Sequence, residues 1–110
     1  PVSADHELSS QEIFGPVLIA TPFKDEAEAV RLANATEYGL VSGVWTTNGG
    51  RQLRVARALD CGQVFVNTYG AGGGVELPFG GVKRSGYGRE KGMDGLLSFT
   101  RVKTVALFHG

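Results

Sequence analysis

The chain has little of several things that would place a protein quickly. It carries one cysteine, Cys61, in 110 residues, so no intramolecular disulfide can form, and this fits a reducing, cytoplasmic setting. Net charge is absent: eleven basic side chains cancel eleven acidic ones, leaving no overall field to draw the chain to nucleic acid or an anionic membrane. Long apolar runs are absent too. No uncharged stretch reaches the roughly 18 residues of a membrane span, and the N-terminus lacks the basic and apolar regions of a signal peptide. The only methionine is Met93, and Pro1 is not an initiator, which processing, subcloning or a fragment would each explain. No metal site is read in the sequence.

What remains is the length of one domain, with 42% hydrophobic residues to fill a small core. Residues 1–11 are polar and aperiodic, a lead-in loop. The apolar run 17–23 reads as a buried strand, bounded by Gly15-Pro16 and interrupted late by Pro22. Asp25 can cap a helix over 25–35, with Glu28 completing a capping-box-like pair and Glu26 favouring the positive end of the dipole. A second strand is predicted over 40–47. Asn48 then caps a helix running to Asp60, on which Arg51, Arg54 and Arg57 share one face as a solvated stripe. Gly62 ends that helix and 63–67 makes a third strand. Strand, helix, strand, helix, strand with short connections predicts an α/β fold, a parallel βαβαβ core in three layers.

After Asn67 the character changes, for ten of the seventeen glycines lie between Gly70 and Gly95. A glycine-rich segment following the last strand of a parallel sheet is where a site belongs. A short helix over 93–99 precedes a closing stretch, 100–108, whose alternation reads as a strand in need of a partner. The densest part of the glycine-rich region is 77–90, where four glycines, a proline and four charges leave no room for periodic structure.

Within it Pro78-Phe79-Gly80-Gly81, Lys83 and Ser85-Gly86-Tyr87-Gly88-Arg89-Glu90 follow one another. This run resembles the C-terminal signature of NAD(P)-dependent aldehyde dehydrogenases. The likeness extends in the family's order through Glu12-Ile13-Phe14-Gly15-Pro16-Val17, Tyr38-Gly39-Leu40, Gly62-Gln63-Val64-Phe65-Val66-Asn67 and Lys103-Thr104-Val105. It covers nearly the whole chain but only the C-terminal portion of a family subunit.

The resemblance implies a fragment of the aldehyde dehydrogenase catalytic domain over 1–99, followed by an oligomerisation arm strand over 100–110. It implies NAD or NADP as cofactor, an aldehyde as substrate and a homo-oligomer held through the C-terminal strand, with no nucleic acid or membrane partner. Glu12 is implied to accept hydrogen bonds from the nicotinamide ribose hydroxyls and Phe14 to pack near the nicotinamide. A carboxylate suits that role because it can accept from two vicinal hydroxyls at once. Standing alone, Glu12 would read as a surface acid. Phe79 is implied to line the aldehyde pocket, against the plain reading of a core phenylalanine.

No catalytic residue is assigned. The family places its nucleophilic cysteine and general-base glutamate upstream of the matched part, and Cys61, between Asp60 and Gly62, reads as structural. Asn67 reads as a structural tie to a neighbouring loop, and Glu90 as a charge at a helix start. The run Gly70-Ala71-Gly72-Gly73-Gly74 lacks the helix and Lys-Ser/Thr of a phosphate loop. It predicts instead a mobile loop and a wide pocket mouth open to bulky aldehydes. The isolated chain is therefore expected to be inactive. Two competing readings remain: a non-catalytic remnant of this fold that binds protein partners, and an Arg/Gly/Tyr RNA-binding segment over 83–89.

Overall fold

The computed structural model describes residues 2–3, 5–70 and 73–110. Two helices form where their caps direct. Asp25 is the N-cap of α1 (Glu26–Asn34), its carboxylate accepting from the Glu28 amide at 2.8 Å, and Glu28 in turn accepts from the backbone amide of Lys24. That reciprocal pair satisfies two orphan donors. Asn48 caps α2 (Gly49–Ala58) in the same way, accepting from the Arg51 amide at 2.9 Å. A third, short helix, α3 (Gly92–Leu97), follows Lys91, whose φ of 61° lies in the left-handed region.

Among the described residues four strands pair two by two: β1 (Tyr38–Gly39), β2 (Val41–Val44), β3 (Gln63–Val66) and β4 (Val82–Lys83). Val41 to Val44 of β2 run parallel to Gln63 to Val66 of β3, with α2 as the crossover. This is one βαβ unit. The small antiparallel pair β1–β4, with Tyr38 opposite Lys83, is not expected from the sequence, because two residues are too few to show a period.

The expected third strand is where the structure differs. The run 17–23 forms no strand and joins neither sheet; its backbone link to the N-terminal residues is a 3.3 Å bond from the Val2 amide to the Ala20 carbonyl. Pro22 removes one of its donors, Pro16 precedes it directly, and β2 and β3 are already paired with each other. The chain alone thus builds a two-stranded parallel pair where βαβαβ was expected. Helices α1 and α2 touch one another, and α2 packs on both β2 and β3.

The closing stretch 100–108 likewise carries no strand pairing among the described residues, and Phe108 and Val102 are almost wholly exposed. The expectation for the glycine-rich loop 70–75 falls partly on residues 71 and 72, outside the described residues.

No hydrophobic side chain among the described residues is fully buried. The surface is 8637 Å², whereas a compact monomer of this mass exposes about 5,800 Å². The radius of gyration, 18.8 Å, exceeds the value of about 13 Å for a compact chain of this length. Ile13, Val17, Leu18, Phe23, Trp45 and Leu53 all stand in water. These are faces shaped to be covered by other protein. Among the described residues no helix is long and apolar enough to cross a membrane.

Candidate functional site

The loop bearing Glu12 and Phe14 follows a single 3-10 turn, Glu7–Ser9, capped by His6, whose Nδ1 accepts from the Leu8 amide. Gln11 ties the loop back to this turn, its Nε2 donating to Glu7 Oε1 at 2.6 Å. Beyond it Phe14 has φ 53°, a left-handed conformation uncommon for an aromatic residue, and the residue is 93% exposed. Gly15 follows, and the Val17 amide bonds the Gly15 carbonyl at 2.7 Å, so the chain turns sharply just after Phe14. The backbone thus spends conformational energy to hold an apolar ring out in water, a feature that marks sites rather than cores.

Glu12 and Phe14 line one cleft of about 480 Å³, together with Leu8, Gln11, Ile13 and Val17. No hydrogen bond or ion pair engages the Glu12 carboxylate among the described residues, so both its oxygens can accept from a ligand. This donor-hungry carboxylate beside an apolar ring fits a ribose diol with a flat heterocycle attached.

Phe79 lies elsewhere, in a cleft of about 350 Å³ shared with Leu40, Tyr87, Arg89 and Ser98. The structure does not bring it into the Glu12–Phe14 cleft. The two regions are linked through a third groove, because Leu40 and Ser85 line both the Phe79 cleft and a groove that includes Glu12. Ser85 matters structurally as well. Its Oγ accepts from the Gly39 amide at 3.0 Å, and a Cβ on buried Gly81 would meet Ser85 Cβ at 2.6 Å. Sequence reasoning passed over Ser85 and Leu40, although both fall in blocks that carry the family resemblance.

The backbone around Phe79 is fixed from three sides. Phe79 and Glu90 form an antiparallel bridge, exchanging two amide–carbonyl bonds of 2.7 Å. Gln63, the first residue of β3, donates from Nε2 to the Pro78 carbonyl at 3.0 Å. The Lys91 ammonium sits 5.6 Å from the centre of the Phe79 ring. Glu90 therefore does more than charge a helix start: its main chain pins the residue proposed for the pocket.

Other residues singled out in the sequence hold the frame. Asn67, with φ 53°, accepts from the Thr46 amide at 2.8 Å and donates to the Thr46 carbonyl at 3.0 Å, closing the ends of β2 and β3. Cys61 donates its thiol to the Gln63 carbonyl at 3.2 Å. Lys83 reaches the carbonyl of Asn34, the last residue of α1, and that of Thr36 just beyond it, and pairs with Asp60 at 3.1 Å. Arg84 pairs with Glu37, so the cations of the proposed RNA-binding segment have partners within the chain.

The arginine stripe of α2 is exposed to solvent, as the sequence predicts, and two of its members also have a partner. Arg51 and Arg54 both bond the Glu26 carboxylate of α1, at 3.0 and 2.9 Å, and thereby bind the two helices together. The hydrogen bond from Arg54 first, and that from Arg51 next, hold the Glu26 carboxyl at about 2, below its ordinary 4.5. No group of three or more His, Cys, Asp or Glu that could hold a metal ion occurs among the described residues.

A βαβ unit with a glycine-rich loop pinned beside it, and a cleft that sets a carboxylate beside an aromatic side chain, make up a small α/β fragment. The profile of the aldehyde dehydrogenase family matches residues 1–105. Over 104 residues the chain is 47% identical to the NADP/NAD-dependent aldehyde dehydrogenase PuuC of Escherichia coli (strain K12), a match covering 94% of this chain and 21% of that protein. It is 46% identical over 107 residues to a succinate-semialdehyde dehydrogenase [NADP(+)] of Deinococcus radiodurans, covering 97% and 22%. Among solved structures, the NAD+ complex of an aldehyde dehydrogenase from Bacillus cereus superposes with a TM-score of 0.90 at 42% identity, covering 94% of this chain and 21% of that one. The chain belongs to the aldehyde dehydrogenase family. It spans about a fifth of the length of the curated relatives it matches.

Proposed function

We propose that this chain supplies one wall of the active site of an enzyme that oxidises an aldehyde to a carboxylic acid with NAD or NADP. The observation that carries the reading is the Glu12–Phe14 cleft, where an unengaged carboxylate and an outward-held aromatic ring stand together. NAD(P), when bound, supplies the hydride acceptor. Glu12 accepts from the two hydroxyls of the nicotinamide ribose and so orients the ring for transfer, while Phe14 covers an apolar edge and excludes water. Phe79 lines the aldehyde pocket.

The thiolate that attacks the carbonyl and the base that activates water come from outside these residues. The 110 residues alone are therefore inactive. In the whole subunit the 17–23 run gains a strand partner, giving the βαβαβ core, and 100–108 pairs with a sheet of another subunit to make a homo-oligomer.

The test is made in the intact enzyme carrying this sequence. Glu12→Gln is expected to slow single-turnover hydride transfer more than it raises the cofactor dissociation constant. An unchanged transfer rate removes Glu12 from the site.

A further inference from the structure

We infer that Arg89 is a positioning residue for the substrate pocket, its guanidinium clamping the loop 80–89 so that Phe79 keeps one direction; this rests on the reading of Phe79 as a pocket residue. The loop has little regular structure of its own to hold it. It leaves Phe79, passes through four glycines and returns at Glu90, where the two 2.7 Å bridge bonds close it. Inside that closure Arg89 Nη1 donates to the Gly81 carbonyl at 2.9 Å and the Gly88 carbonyl at 2.6 Å, one near each end of the loop. A charged donor shared by two carbonyls forms stronger bonds than neutral amides would.

The glycines make the clamp possible. A Cβ on Gly80 would stand 2.5 Å from the Gly88 carbonyl oxygen and 3.1 Å from Arg89 Cδ, so only glycine lets the two limbs close over the arginine stem. Gly80 is the residue after Phe79, and Arg89 the residue before Glu90, which bridges Phe79. One covalent neighbour of the Phe79–Glu90 bridge, Gly80, thus packs against the side chain of the other, Arg89, and Arg89 and Phe79 line the same cleft. Releasing the guanidinium frees the limb that carries the ring, while the Glu12–Phe14 cleft has no contact with it.

The experiment is a double-mutant cycle in the intact enzyme, with Arg89→Met, Phe79→Ala and both together, read as KM and kcat for the aldehyde and as the NAD(P) dissociation constant. Arg89→Met is expected to raise the aldehyde KM by about tenfold with little change in kcat or cofactor binding. The double variant is expected to match Phe79→Ala alone, since a clamp has nothing left to position once the ring is gone. Additive KM effects overturn the assignment of Arg89 and leave Phe79 in the pocket. An unchanged KM for Phe79→Ala removes Phe79 from the pocket and the Arg89 inference with it. If Arg89→Met does not fold, Arg89→Lys, which keeps the charge without the planar fork, enters the same cycle: a non-additive rise in KM supports the clamp, and a wild-type KM overturns it.

Discussion

The carbonyl oxygen of Gly80 lies only 1.6 Å from where a Cβ on Gly62 would stand. The turn into β3 and the loop after Phe79 are in backbone contact, and a methyl group there has nowhere to go. Gly62→Ala is therefore expected to destabilise the intact enzyme by about 1–3 kcal/mol or more, as overpacking against rigid main chain does. Thermal unfolding midpoints measure it, and a midpoint within error of the parent would show that the loop can retreat at no cost.

A second expectation concerns acid. The Glu26 carboxyl titrates at about 2 in the fold against an ordinary 4.5, first through its hydrogen bond with Arg54. A lowered folded value means that the clamp's stabilisation is complete above about pH 4.5 and is lost as pH falls towards 2. Glu26→Gln is expected to flatten that part of the stability–pH curve while leaving its neutral limb the same shape. The pair is exposed, so the difference between the two proteins shrinks in high salt. Parallel curves between pH 5 and 2, followed by denaturant melts, would refute the clamp.

Asn67 couples a backbone demand to a side-chain demand, and substitutions separate them. Asn67→Gly keeps the left-handed φ but loses both bonds to Thr46; Asn67→Ala loses the bonds and strains the backbone. Alanine is expected to be the more destabilising by about 1 kcal/mol, in reverse of the usual order of these two residues. Equilibrium unfolding of the two variants checks the order.

The isolated 110 residues are expected to produce no NAD(P)H from any aldehyde and to self-associate in sedimentation, given the bare apolar faces and the unpaired 100–108 stretch. Turnover by the chain alone would mean that a nucleophile is present here after all. A monodisperse monomer with ordered 100–108 would show that the arm needs no partner.

Helices α1 and α2 were legible because their caps, Asp25 and Asn48, act within three residues and leave a local mark in the sequence. The parallel pairing of β2 with β3 followed from the short connections around α2. What the sequence hid was long-range or rare. The partner of Arg51 and Arg54 is Glu26, twenty-five residues or more away, so periodicity showed only a stripe. Nothing in a residue name announces φ 53° at Phe14, which a glycine would have signalled. The run 17–23 looked like a strand because it has strand composition, yet pairing is a property of neighbours, and none is offered within these residues. The proposed site residues Glu12, Phe14 and Phe79 rest on motif likeness alone; the separate cleft of Phe79, bordered through Leu40 and Ser85, is a property of the folded chain that no local pattern carries.

Because no apolar side chain among the described residues is sealed from water, the cooperative unit of unfolding is larger than this stretch of chain. Amide exchange at β2 and β3 in the whole subunit then reports on the surfaces that cover them as much as on their own ladder. Substitutions at Val44 or Trp45 would be felt as loss of docking between segments, with broad, shallow melting of this region ahead of the rest.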